Sequence, residues 1–574
     1  MTNCKATALI SVWPVLCVAL VLAGCGEGPA QRAQAQTQDS GGPLLEEQAA
    51  YDVTHYDLDV RVDPAAQTLH GTLTVRATAT DTLDVLVLNL DRRLAVRQVW
   101  GERREKPLPV ERRAGENQLW IQLADRALPG DTMQATVAYG GVPRVAPNPP
   151  WEGGLTWAQT PNGDPWVATS GQTAGADLWW PVKDHPSDEP DSMDIAITVP
   201  DSLLAASNGV LRDVTRASDS TQTYRWHVST SINSYAVTLN AAPYVRVDTT
   251  YESTAGTTVP VTFFALPSDT TNARRALPHF LDHVRFLEET LGPYPFRADK
   301  YGIAQTPFLG MEHQTLIAYG STFDRRGGLG YRADFDALHF HELAHEWYGN
   351  CLTVRDWKDF WIHEGVATYL EALYMESRRG LDGYHDLIAY FRRQVTNRSP
   401  IARQGAASAQ EMYGRDVYYK GALVLHTLRS MIGREALVGL LRDFVYPDGT
   451  DPAQACRHVD TDAFLARAEA VADRSLDGVA ATYLYQAELP HLDSTRTEQA
   501  LRLTWQNAAD GFAVPVPVRV GDTTRTVAMD GGEATLSVPA DATVHIDPTD
   551  WLLRAPTGGP LTPQEKRRRR SRGR

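Results

Sequence analysis

His341-Glu342-Leu343-Ala344-His345-Glu346-Trp347-Tyr348-Gly349-Asn350, followed by Trp361-Ile362-His363-Glu364-Gly365, is the stretch on which the reading of this chain turns. Two histidines four apart on a helix leave from one face, so both imidazoles reach a single metal ion. Glu342 sits about 100° around the helix from His341, close enough to hold a water without being a ligand. Eighteen residues separate His345 from Glu364, enough to finish one helix, turn, and lay a second alongside. His341, His345 and Glu364 then form a His₂Glu set with an open fourth position, the ligand pattern of a catalytic zinc, one per chain.

The competing reading is an ordinary amphipathic helix with solvated histidines. Against it, apolar Leu338, Phe340, Leu343, Ala344 and Trp347 surround the motif. Two neutral imidazoles and a carboxylate are costly to bury there without a partner. Two imidazoles and a carboxylate, with no cysteine in the motif, suit zinc. His363 is set aside as a ligand because helix neighbours point about 100° apart. His339 is set aside on the same ground and read as lying behind the ligands or at the surface.

With 574 residues, 43% of them hydrophobic, the chain is too long for one core and reads as several domains. A net charge of −15 argues against nucleic acid as a partner. The start reads as a processing signal: Lys5, an apolar run from Ala6 to Ala23 interrupted by Pro14, then Leu22-Ala23-Gly24-Cys25. That ending resembles a bacterial lipobox, with Cys25 the acylated first residue of the mature protein and its acyl chains the membrane attachment. An ordinary secretory signal or an uncleaved anchor is the alternative. The expected location is the cell envelope, outside the cytoplasm. With Cys4 and Cys17 lost in the signal, Cys351 and Cys456 remain, too few for a disulfide framework. Whether those two pair is left open.

Six segments follow. Residues 1–24 are the signal peptide, and residues 25–48, rich in Gly, Gln and Ala, a flexible tether. Residues 49–248 alternate apolar with polar, as in Tyr56-Asp57-Leu58-Asp59-Val60-Arg61-Val62, and read as mostly antiparallel sheet. Residues 249–488 shift to helical spacing, in Leu277 to Leu291, Glu364 to Ser377, Tyr384 to Val395 and Tyr418 to Met431. Residues 489–555 return to strand patterning, enough for one small β-sandwich. Residues 556–574 end in a basic run, read as disordered and solvated.

Several separated motifs now agree. Gly292-Pro-Tyr-Pro-Phe296, Gly310-Met-Glu-His-Gln314, the zinc motif, Trp361-Ile-His-Glu-Gly365 and Tyr418-Tyr-Lys-Gly421 occur in one order. From Tyr51 to Leu553 the chain resembles the zinc aminopeptidases of the gluzincin group, the alanyl aminopeptidase and leukotriene hydrolase family. The resemblance implies an α+β multidomain protein: an N-terminal antiparallel β saddle, a thermolysin-like mixed α/β catalytic domain and a small C-terminal β-sandwich. The family's large helical domain is expected to be missing, because the strand-patterned segment after residue 489 is too short to hold it as well. It also implies that Glu312 binds the free α-ammonium of a peptide substrate and that the backbone at Gly310 and Met311 aligns it. Gln172 is the matching second amine contact, and Tyr418 the donor to the reacting carbonyl oxygen, with Tyr413 and Tyr419 as competitors. The family loop is Gly-Ala-Met-Glu-Asn, so Leu309 and His313 depart from it.

The expected activity is zinc-dependent removal of the N-terminal residue from peptides, with Glu342 as general base. Three rivals stand beside it: an endopeptidase on the same zinc chemistry, an epoxide-type hydrolase, and a lipid-anchored binding protein without catalysis.

Overall fold

Alternation builds the first domain. Along Tyr51–Asp63, residues Tyr56, Leu58, Val60 and Val62 are buried while Asp57, Asp59, Arg61 and Asp63 are exposed, as in a strand with one face on a core. It pairs antiparallel with Thr68–Ala79 and parallel with Ser192–Pro200. Seven strands form this sheet, in the order Val210–Arg216, Thr221–Val228, Ser192–Pro200, Tyr51–Asp63, Thr68–Ala79, Thr132–Gly141 and Leu94–Gly101. All its other pairings are antiparallel. A second, four-stranded sheet contains Pro165–Ser170, whose end delivers the turn carrying Gln172.

This computed structural model describes residues 39–556 apart from 104–105, 321–322, 324–330, 332 and 452–453. The signal segment, Cys25, most of the expected tether and the basic tail lie outside the described residues. No helix among the described residues is long and apolar enough to cross a membrane.

The catalytic domain begins slightly earlier than its sequence reading. Val245–Glu252 pairs with Thr258–Ala265 and joins the sheet of the second domain, although its period is the same as that of the strands before it. That five-stranded sheet runs Val245–Glu252, Thr258–Ala265, Tyr301–Gln305, Ile317–Tyr319, Gly310–Met311. Gly310–Met311 is therefore an edge strand with one side unpaired by the sheet. Four helices matter for the site: α1 (Thr270–Leu291), α2 (Ala337–Ala344), α3 (Trp361–Gln394) and α4 (Arg415–Ile432). The Asp336 side chain caps α2 by accepting from the His339 N–H at 3.1 Å. The two helical segments expected over 364–395 are one run broken at Gly380, where φ is 66°. α3 and α4 touch through Gly365 and Gly421: a Cβ on Gly365 would lie 2.9 Å from the Gly421 Cα.

Beyond residue 489, two three-stranded sheets bury Leu492, Leu501, Leu503, Trp505, Val516 and Val518 as a small β-sandwich. The fold is thus α+β, a β-rich first domain followed by the catalytic domain and the small β unit.

Residues 39–48 correct the tether reading. Ser40 is buried; its N–H donates to the Thr173 carbonyl at 3.2 Å, and its carbonyl accepts from the Ala409 N–H at 2.9 Å. Hydrogen bonds, mostly from the backbone, do the docking, so the low apolar content of the segment gave no sign of it. Cys351 and Cys456 are disulfide-bonded across a separation of 105 residues, beside the parallel pair Leu352–Val354 and Arg457–Val459. Closing so long a loop removes much unfolded-state entropy, so Cys456→Ser is expected to lose ~2–4 kcal/mol in reversible denaturant unfolding.

Candidate active site

α2 and α3 bring three donor atoms to one point. His341 Nε2 lies 3.2 Å from His345 Nε2 and 3.3 Å from Glu364 Oε2. His345 Nε2 lies 3.4 Å from the same oxygen. α2 ends at Ala344, yet His345 keeps helical angles as its cap, φ −65° and ψ −19°, so the spacing of four still aligns both rings. All three side chains are buried.

The outer ring nitrogens settle what these atoms can be. His345 Nδ1 meets the Tyr348 carbonyl at 2.9 Å, an atom that only accepts, so Nδ1 carries the proton. His341 Nδ1 donates to Glu371 Oε1 at 2.8 Å. As neutral imidazoles, both aim Nε2 lone pairs at each other and at a carboxylate oxygen, an arrangement that a shared cation relieves. A tetrahedral ion with ligands at about 2.05 Å has ligand–ligand edges of about 3.3 Å, matching the three observed distances. The donor set fits zinc, and it is the one such group among the described residues.

The remaining residues surround this point in a cleft of about 590 Å³. Glu342 lines it; burial pushes its carboxyl up to about 8. Burial also pushes the Glu364 carboxyl up, but His345 and then His341 outweigh it and hold it well below the usual range. A Cβ at Gly310 would crowd the movable ends of the Glu342 and Leu338 side chains, so this strand runs close against α2. Met311 is buried and lines the cleft, and Leu309 lines it in place of the family glycine. The Gln172 amide donates to Glu312 Oε1 and, at 3.1 Å, to Glu364 Oε1. Burial raises the Glu312 carboxyl, and Asn350 donates to the Glu312 carbonyl at 2.9 Å. The Tyr418 ring stacks near His341, 6.0 Å between centroids and 23° between planes. Its hydroxyl donates to Tyr413 at 3.3 Å. Burial and then Glu364 hold that phenol well above its usual pKa, so it stays an O–H donor. Tyr419 packs instead on Phe391, 5.6 Å away.

Three other histidines are core groups. His363 Nε2 accepts from the Val354 N–H at 2.9 Å, facing away from the donors. His339 is neither behind the ligands nor at the surface. It is fully buried, 2.8 Å from His283 through Nδ1, bonded to the Tyr301 hydroxyl, and stacked on Phe280 at 3.6 Å. His313 is fully buried with both ring nitrogens unpartnered, and burial pushes its pKa down to about 3.

Glu371 is the functional residue that sequence reasoning missed. It follows Glu364 by seven residues, two turns along the same face of α3, and also accepts from the Tyr331 hydroxyl. The available signal was that one-face spacing behind a ligand. A carboxylate on the outer nitrogen fixes the tautomer and raises ligand basicity. Glu371→Gln is therefore expected to weaken zinc binding by about 10–100-fold in competition titration against a chromophoric chelator.

Comparisons with known proteins agree with this arrangement. The profile of the Peptidase M1 N-terminal domain matches residues 53–236, and that of the Peptidase family M1 domain matches residues 280–470. Human endoplasmic reticulum aminopeptidase 1 is 25% identical over 404 residues, 67% of this chain and 42% of that protein. Aminopeptidase N of Streptomyces lividans is 27% identical over 231 residues, 36% of this chain and 26% of that protein. The chain thus spans less than half the length of these curated relatives. The crystal structure of an M1 zinc metallopeptidase from Deinococcus radiodurans bound to a Tyr-Ser-Ala substrate superposes with a TM-score of 0.63. It is 25% identical, and the match covers 79% of this chain and 98% of that one. With two matched domains in the family's order and its ligand triad converging as zinc requires, this chain belongs to peptidase family M1.

Proposed function

We propose that the protein is a zinc aminopeptidase that removes one residue at a time from the free N-terminus of peptides. The observation that carries this reading is the Gln172 amide, which spans Glu312 and the metal ligand Glu364. An anionic pocket for an amine thus stands one side chain away from the metal centre. A peptide α-amino group has a pKa of about 7.7–8.0 and is mostly protonated at neutral pH. Held by Glu312 in a charge-assisted bond, it leaves the first peptide carbonyl beside the donors. The Deinococcus relative's tripeptide supports a short peptide as substrate.

His341, His345 and Glu364 would hold zinc, which when bound polarises a carbonyl and makes water nucleophilic near neutral pH. Glu342 takes the proton of the attacking water and returns it to the leaving amine. The Tyr418 O–H donates to the oxygen on which charge develops, so Tyr418→Phe should cost about 2.7–4 kcal/mol in kcat/KM. Gly310 and Met311 offer an edge strand to which an extended peptide can add by backbone hydrogen bonds.

No observation favours the endopeptidase, epoxide hydrolase or non-catalytic readings. On aminoacyl fluorogenic substrates, Glu312→Ala should lose about 2–5 kcal/mol of kcat/KM while zinc content stays the same. A chelator should abolish turnover, and N-acetylated substrates should resist the wild type. Wild-type efficiency in Glu312→Ala would overturn the assignment. The Leu22-Ala23-Gly24-Cys25 sequence supports lipid attachment at Cys25 in the cell envelope. Cys25→Ser is then expected to move the protein from the detergent phase to the aqueous phase on fractionation.

A further inference from the structure

Residues 39–42 run between the two domains within one residue of the amine-binding Gln172. On the β-domain side, Ser40 N–H donates to the Thr173 carbonyl at 3.2 Å, and the Gly42 carbonyl meets His185 Nε2 at 3.0 Å. On the catalytic side, the Ala409 N–H donates to the Ser40 carbonyl at 2.9 Å, and Gly42 N–H donates to the Ala407 carbonyl at 3.2 Å. Asp39 Oδ1 accepts from the Gln410 N–H at 2.9 Å, and the Trp357 indole N–H reaches Ser40 Oγ at 3.4 Å.

Both anchor points lead directly into the cleft. Thr173 follows Gln172, and its hydroxyl donates to the carbonyl of Trp151, which lines the cleft mouth. Ala407–Gln410 lead through the short helix Ala409–Met412 to Tyr413, which meets the Tyr418 hydroxyl. We propose that residues 39–42 act as a positioning strap for amine recognition, holding the Gln172 turn against the catalytic domain so that its amide stays between Glu312 and Glu364. The strap itself does not touch substrate. The inference rests on the aminopeptidase reading above.

Two adjacent glycines allow the test. Gly41 has φ +77°, and a Cβ there would overlap the Trp357 indole ring. Gly42 has φ +82°, and its Cβ would meet only Ser408 Cβ, at 4.0 Å. Gly41→Ala and Gly42→Ala in the full chain therefore carry similar backbone strain, but only the first dislodges the strap. With loss of one charge-assisted bond to the amine, Gly41→Ala should raise KM for aminoacyl substrates about tenfold, with kcat within about twofold and zinc content unchanged. Gly42→Ala should stay within about threefold of wild type in KM. Equal KM values for the two variants, or a fall in thermal stability alone, would overturn the strap's role. Should Gly41→Ala fail to accumulate, Ser40→Pro removes the N–H that reaches Thr173, and an unchanged KM there overturns the proposal equally. A wild type inactive on free-amine substrates would instead remove the aminopeptidase reading beneath it.

Discussion

Three lone pairs aimed at one buried point are the constraint on which the rest of the structure depends. His341 Nε2, His345 Nε2 and Glu364 Oε2 stand 3.2–3.4 Å apart, with both imidazole protons already committed on the outer side. With neutral imidazoles and no cation this cluster is electrostatically unfavourable; a bound cation would turn it into a tripod. The capped helix α2, the aromatic packing under it and the close α3–α4 contact all keep that convergence fixed. Preorganisation of this kind is what lets a site stabilise developing charge without reorganising at the moment of reaction.

The wider cleft is crowded with acidic side chains. Glu312, Glu342, Glu364 and Glu371 all line it, while Arg415 is the sole Lys or Arg among the described residues that do. Burial raises Glu312 and Glu342, which marks how little solvent there is to screen them. Keeping these groups ionised therefore calls for positive charge that the protein itself does not supply. A divalent ion would cover part of the deficit, and in the proposed function a substrate ammonium at Glu312 covers more, which would make selectivity for a charged amine a matter of electrostatic balance as well as of shape.

What could be read in advance divides along chemical lines. His341, Glu342, His345 and Glu364 were legible because metal chemistry demands those residue types at those spacings. Alternation in Tyr51–Asp63 likewise announced its strand, although its parallel partner lies more than a hundred residues away and left no local mark. That Glu312, Gln172 and Tyr418 would line the same cleft was legible only through family resemblance; a glutamine in a turn has no pattern of its own. Glu371 was missed because a carboxylate two turns beyond a ligand looks like any helical glutamate until tertiary packing sets it on His341. Residues 39–42 were misread because they dock mostly through backbone groups, which every sequence possesses.

The contact between Gly365 and Gly421 also bears on how this chain can change over evolutionary time. Each glycine sits beside a residue that matters: Glu364 on one helix, and Tyr418 one turn earlier on the other. Any side chain at either position would wedge the helices apart and carry the tyrosine hydroxyl away from the donors. Neither position can drift independently, and no compensating reduction is open to its partner, since glycine is already the smallest residue. The pair thus acts as a fixed spacer between the helix that carries Glu364 and the helix that carries Tyr418.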